Sequence, residues 1–115
     1  MAAGTYNLEL EQGSTFELDV NYQDTDGNPL DLSSGYTSAM QIRESYDSTS
    51  TLLSLTNTNG ITLGQNNPNI RIAIGPATTA AMDFDNAFYD LELTSTSSTV
   101  KVIRGTVKLI REITK

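Results

Sequence analysis

An alternation of apolar and polar side chains with a period of two most constrains how this chain can fold. The clearest case lies in residues 24–43, where a polar turn at 26–29 precedes an alternating run in which Met40 and Ile42 share one face. Alternation between turn residues is what a half-buried antiparallel strand requires. The stretch therefore predicts a strand edge, a turn and a strand.

Similar runs recur along the chain and indicate its fold class. They lie at residues 6–10, 16–22, 52–55, 61–63, 70–74, 88–93 and 100–113. Only residues 77–82 favour a helix, and at that length a single turn is expected. Seven to nine short strands separated by turns predict an all-β, immunoglobulin-like antiparallel β-sandwich that forms one domain over residues 1–115. A small β-barrel is the alternative fold.

Two local signals refine this prediction. The dipeptide Asn59-Gly60 predicts a β-hairpin that joins the runs on either side of it. In the last run, Gly105 and the apolar pair Val102-Ile103 interrupt the alternation. A glycine beside a shift of phase predicts a β-bulge or a bend between two sheets.

The composition argues against several classes of function. The formal net charge of −7 argues against nucleic acid as the main partner. The sequence contains neither cysteine nor histidine, which removes thiolate and imidazole ligands and the common nucleophile–base pairs. No apolar run approaches the ~20 residues of a membrane-spanning helix. We therefore expect no enzyme, no cofactor, no metal and no membrane contact.

Two groups of acidic residues could suggest metal or hydrolase chemistry. Asp24, Asp26 and Asn28 have the opening spacing of a calcium loop, but Gly35 stands where that loop needs a glutamate, so a turn is predicted. The second group is Asp83, Asp85 and Asp90. Capping of the short helix or plain solvation is predicted for this group, in preference to a hydrolase site.

Aromatic side chains offer one further binding hypothesis. Tyr22, Tyr36, Tyr46 and Tyr89 could together form a sugar-binding platform. Most of them occupy positions within predicted strands, so packing in the core or at a sheet edge is the favoured interpretation.

Basic residues are concentrated near the C-terminus. Five of the seven lie at or after position 100: Lys101, Arg104, Lys108, Arg111 and Lys115. This pattern is compatible with a solvated strand face or with a docking edge for an acidic partner. Because exposed edge strands recruit partners, we predict that residues 100–115 contact a neighbouring chain.

Several turn and strand markers resemble a known family. They are Leu8-Glu9-Leu10-Glu11-Gln12-Gly13, Asp26-Gly27-Asn28-Pro29, Asp31-Leu32, Gly35-Tyr36, Met40-Gln41-Ile42-Arg43, Tyr89-Asp90-Leu91-Glu92-Leu93 and Arg104-Gly105-Thr106-Val107. The chain resembles small virion proteins of tailed bacteriophages and the N-terminal module of the lactococcal-phage upper baseplate protein. The resemblance implies a non-enzymatic, immunoglobulin-like module that is made in the host bacterial cytoplasm and incorporated into the virion.

The resemblance also implies the partners, which are other virion proteins contacted by several copies related by symmetry. A place at the tail, baseplate or neck is expected, since residues 1–5 would reach at most ~18 Å as a capsid-binding arm. A capsid decoration or cement protein is the alternative, favoured by the short length and the lack of a fibre-forming domain after the module. A secreted carbohydrate-binding module is the alternative of another class.

Overall fold

The computed structural model describes residues 4–45, 47–66 and 68–111. Over those ranges the chain forms nine strands and one short helix. They are β1 (Gly4–Thr5), β2 (Leu8–Glu11), β3 (Phe16–Val20), β4 (Thr37–Arg43), β5 (Leu53–Thr56), β6 (Ile61–Leu63), β7 (Ile70–Ile74), α1 (Pro76–Ala80), β8 (Asn86–Thr94) and β9 (Thr99–Ile110). Within these ranges no helix has the length and hydropathy needed to cross a membrane.

The strands form two sheets, which confirms the predicted all-β sandwich over the alternative barrel. The larger sheet has the order β1-β9-β8-β4-β5, with β2 also paired to β9, and the smaller has the order β3-β7-β6. One feature differs from the expected antiparallel arrangement. Both β1 and β2 run parallel to β9, so the N-terminal chain and β9 have the same direction along this edge of the sheet.

The core lies between the sheets and follows the predicted alternation. In β4 the buried side chains are Ser38, Met40 and Ile42, and β7 and β8 alternate in the same way. The apolar side chains of this set, such as Met40 and Ile42, belong to one hydrophobic cluster. Removing one face of each strand from water supplies most of the driving force for folding.

The loop before β4 contributes to this core without forming the predicted strand edge. Leu32 is 1% exposed although it lies outside the strands. Its backbone N–H donates to the Gly64 carbonyl at 2.9 Å, which ties the loop to the end of β6. The apolar residue was recognisable in the sequence, but its partner lies in a distant loop.

The predicted hairpin at Asn59-Gly60 is wrong. Strands β5 and β6 follow one another but belong to different sheets, β5 beside β4 and β6 beside β7. The Gly60 carbonyl accepts a hydrogen bond from the Ala73 N–H at 2.8 Å, which directs the chain across the sandwich to β7. Gly60 has a φ of 96°, a conformation that glycine adopts easily.

The irregularity in β9 is confirmed as a bulge, but it does not lie at Gly105. The register shifts opposite the step from Leu91 to Glu92, which leaves Val102 as the extra residue. Gly105 has a different role, because a Cβ there would lie 2.9 Å from the Tyr6 carbonyl carbon and 2.8 Å from Asn7 Oδ1. All of β9 remains in one sheet, so the alternative of a bend between two sheets is wrong.

Tyr89 holds the segment that links β1 to β2 from inside the sandwich. Its side chain is buried, and its hydroxyl donates to the Tyr6 carbonyl. Burial, with a smaller contribution from nearby Tyr6, raises the pKa of Tyr89 from 10.0 to about 12. The folded state therefore retains this proton over a pH range in which the unfolded chain releases it.

This difference in pKa predicts how stability changes in alkali. Below pH 10 both states hold the proton, so the contribution is fully present. Between pH 10 and 12 the free energy of unfolding should fall by up to about 1.4 kcal/mol per pH unit. Urea denaturation across this range checks the slope. The Tyr89→Phe variant should show a shallower fall, and an unchanged slope in that variant would contradict the assignment.

Candidate functional site

Three of the predicted partner-contact residues, Lys101, Arg104 and Lys108, lie on β9, which is not an edge strand, and Arg111 follows directly after it. Strand β9 is paired to β8 on one side and to β1 and β2 on the other. The edges of the larger sheet are formed by β1 with β2 and by β5. The edge-strand argument for a contact through residues 100–115 therefore does not apply to β9, and a partner could meet this strand only through its outward-facing side chains.

Lys101 lies at the end of β9 beside two carboxylates of β8. Its Nζ is 2.5 Å from Glu92 Oε2 and 3.3 Å from Asp90 Oδ2. The hydrogen bond to Glu92, reinforced by Asp90, raises the pKa of Lys101 despite some desolvation. The ammonium group is thus already neutralised by groups of its own sheet.

Arg111 is paired in the same way at the other end of β9. Its guanidinium nitrogens lie 2.9 Å from Asp83 Oδ1 and 3.3 Å from Asp85 Oδ1. The hydrogen bond to Asp83, followed by that to Asp85, raises the pKa of Arg111. Of the two roles predicted for these acids, solvation is confirmed, since the side chains of Asp83 and Asp85 are 87% and 84% exposed, and capping of the helix is wrong. They follow the helix in the chain, and its N-cap, Gly75, has no side-chain hydrogen bond.

Arg104 and Lys108 are the less compensated members of the group. Both are exposed, and within residues 4–45, 47–66 and 68–111 neither forms an ion pair within 4 Å. Lys108 is in register with Glu9 on β2. Lys115 lies outside the described residues. The prediction that these cations contact a partner stays a prediction, but Lys101 and Arg111 no longer support an acidic partner.

A shallow cavity of about 230 Å³ adjoins Arg104 on the outer face of the larger sheet. Its lining includes Arg43 and Gln41 from β4 and Phe88 and Asp90 from β8. Arg43 is held in place, since its guanidinium donates to the Ser48 carbonyl and to Gln41 Oε1. Two arginines and a half-buried aromatic residue therefore line one cavity together with the Asp90 carboxylate, a mixed lining suited to a planar polar group.

Sequence reasoning did not identify Arg43 or Phe88 as surface-site residues. Their outward orientation was predictable from the alternation of β4 and β8. Their proximity was not, because it depends on the register in which Arg43 faces Phe88 and Asp90 faces Arg104.

The other candidate groups have structural roles. The Asp24 carboxylate accepts the N–H groups of Asp26 at 2.9 Å and Asn28 at 3.0 Å, which confirms the predicted turn. Tyr89 is in the core, and Tyr22 and Tyr36 pack partly buried against it, so these three follow the favoured packing interpretation. Tyr46, the fourth member of the hypothetical platform, lies outside the described residues.

The fold and these surfaces define a β-sandwich whose larger sheet has an outer face with both paired charges, as at Lys101, and unpaired ones, as at Arg104, among the described residues. In comparisons with known proteins, no protein-family model and no curated protein sequence matches the chain.

Proposed function

We propose that the protein is a non-enzymatic structural component of a tailed-phage virion. Its place is the tail, baseplate or neck, where it joins or anchors neighbouring virion proteins in several copies. The proposal rests on the resemblance described above, whose markers extend from Leu8 to Val107.

The positions of these markers in the fold support the proposal. Leu91 and Leu93 of the Tyr89-to-Leu93 marker are buried in the core. Gly105 of the last marker lies against the N-terminal chain, where an added Cβ would be 2.8 Å from Asn7 Oδ1. These markers therefore belong to the packing of one β-sandwich. A resemblance to a complete module, and not to a single strand or turn, requires this.

The outer face of the larger sheet is the surface that we assign to partner contact. Lys101 is paired with Glu92 there, whereas Arg104 and Lys108 form no ion pair among the described residues, and an exposed charge pair with a partner contributes only about 0–1 kcal/mol. The cavity beside Arg104 adds a concave feature that a neighbouring protein can fill. Affinity for a partner would then arise from the sum of many weak contacts over this face, repeated in several copies by the symmetry of the particle.

Copy number per particle is the measurement that tests the location. A tail, baseplate or neck component should be present in about six to a few dozen copies, as expected for symmetric rings. Quantitative mass spectrometry of purified virions, calibrated against the major capsid protein, provides this number. Several hundred copies would instead assign the chain to the capsid surface as a decoration protein.

The carbohydrate-binding alternative predicts a different result. A secreted sugar-binding module would bind a glycan array as the isolated protein and would yield no peptides from purified virions. Finding both results together would overturn the virion proposal.

A further inference from the structure

Among the residues that the structure describes, no strand covers the side of the sandwich between β2 and β3. These strands are consecutive in the chain, but β2 pairs with β9 in the larger sheet and β3 pairs with β7 in the smaller one. Each is an edge strand of its sheet along this side. Between them lies a groove of about 300 Å³, here called the β2/β3 groove. It is lined by Tyr6, Asn7, Leu8, Glu9, Phe16, Glu17 and Leu18.

Apolar burial is incomplete along this groove. Phe16 and Leu18 on β3 are only partly buried, whereas their register partners on β7, Ile74 and Ile72, are at most 2% exposed. Tyr6, at the other wall, is 52% exposed. An additional strand beside β3 would cover this apolar surface and would also pair with the free backbone groups of the edge.

The charges of the groove specify which kind of strand would fit. Glu9 and Glu17 carry carboxylates on opposite walls, and neither forms an ion pair within the part of the chain that the structure describes. Asp19, by contrast, is bound by Arg71 of β7 at 3.0 Å. The register partner of Glu17 on β7 is Ala73, which offers no charge. Lysine or arginine side chains of an incoming strand would neutralise both carboxylates, above all Glu17, because Glu9 already has Lys108 in register on β9.

A second copy of the chain is a poor occupant for the same reason. Twofold antiparallel pairing of β3 with itself, centred on Leu18, would place Glu17 opposite Asp19 of the other copy. Like charges directly across a strand pair are destabilising. In this register no cation of the second copy stands opposite Glu17, so the acidic residues of β3 favour a basic strand over the second copy.

We propose that the β2/β3 groove binds an extended segment of a partner protein in which basic residues alternate with apolar ones, and that this segment adds a strand to β3. The apolar side chains would cover Phe16 and Leu18, and the basic ones would meet Glu9 and Glu17. The proposal concerns the surface itself and does not depend on the virion assignment.

The test uses the whole purified protein and a fluorescent peptide of about eight residues in which lysine alternates with valine or threonine. Fluorescence anisotropy should detect saturable binding, and amide hydrogen exchange should show new protection in β3. Glu9→Lys combined with Glu17→Lys should weaken binding about tenfold. Both side chains are exposed, so the fold should be retained, and circular dichroism checks this.

A matched control separates groove binding from general attraction to an acidic protein. Asp26→Lys combined with Asp47→Lys makes the same change in net charge at exposed loop positions away from the groove, and this variant should bind the peptide as the wild type does. Equal weakening in both double variants, or protection of β5 and β6 in place of β3, would overturn the proposal. A lack of saturable binding by the wild type would also overturn it. None of these results bears on the copy number in virions.

Discussion

Replacement of Asn69 by alanine is expected to lower the free energy of unfolding by about 2–4 kcal/mol. Asn69 is 1% exposed, and its side chain makes three hydrogen bonds. Its Oδ1 accepts the Tyr22 N–H at 2.8 Å, and its Nδ2 donates to the carbonyls of Tyr22 at 2.7 Å and Leu30 at 2.8 Å. Alanine would leave the Tyr22 N–H and the Leu30 carbonyl without this partner, and the loop between β3 and β4 would keep only its other attachments, such as the bond from the Leu32 N–H to the Gly64 carbonyl. Urea denaturation gives the change directly.

Two further variants sharpen this test. Asn66→Ala removes an exposed asparagine three residues away and should change stability by less than about 0.5 kcal/mol. Asn69→Asp keeps the acceptor but turns a second oxygen toward two carbonyls, so it should also destabilise near neutral pH. Its buried carboxyl should have a raised pKa, and stability should recover as the pH falls and the protonated group donates. If Asn69→Ala were as stable as Asn66→Ala, the anchoring role would be wrong.

Gly105→Ala is expected to cost about 2–4 kcal/mol because the added methyl group meets backbone. The new Cβ would lie 2.9 Å from the Tyr6 carbonyl carbon and closer still to its oxygen. That segment is fixed, since the Tyr6 N–H donates to the Arg104 carbonyl at 2.9 Å and the Thr106 N–H donates to Asn7 Oδ1 at 3.1 Å. The chain cannot withdraw without losing bonds that hold β1 and β2 to β9.

Gly4→Ala provides the matched control in the same sheet. A Cβ at Gly4 would meet Ile103 Cγ2 at 3.7 Å and the Val102 carbonyl oxygen at 3.8 Å, which are ordinary contacts. Thermal denaturation should therefore separate the two variants, and hydrogen exchange should locate the damage of Gly105→Ala in β2. Equal midpoints of thermal denaturation for both variants would show that the contact between Gly105 and the Tyr6 segment tolerates a methyl group.

Local sequence signals were sufficient for the positions of most strands. Burial in β4, β7 and β8 follows the period-two pattern because each strand has one face on the core and one away from it. Turn chemistry was equally local, since Asp24 builds its turn from N–H groups two and four residues ahead. The short helix was also recognisable, and it begins at Pro76, a residue preferred in the first helical turn.

Strand pairing was not predictable in the same way. The Asn59-Gly60 turn has the residues of a hairpin, yet the flanking strands separate into different sheets. A turn dipeptide fixes only the local reversal, whereas the choice of sheet depends on which surface each strand can bury. The same reasoning explains the opening between β2 and β3, whose connection also crosses between sheets.

The sequence by itself determined the alternating strands, the polar turns, the acidic character and the all-β sandwich. These properties depend on residues close together in the chain. Only the tertiary structure decided that β9 has neighbours on both sides, and that Lys101 and Arg111 face carboxylates on and before β8. Charge compensation and edge exposure depend on register and sheet order, which join residues far apart in the chain and therefore have no local sequence signal.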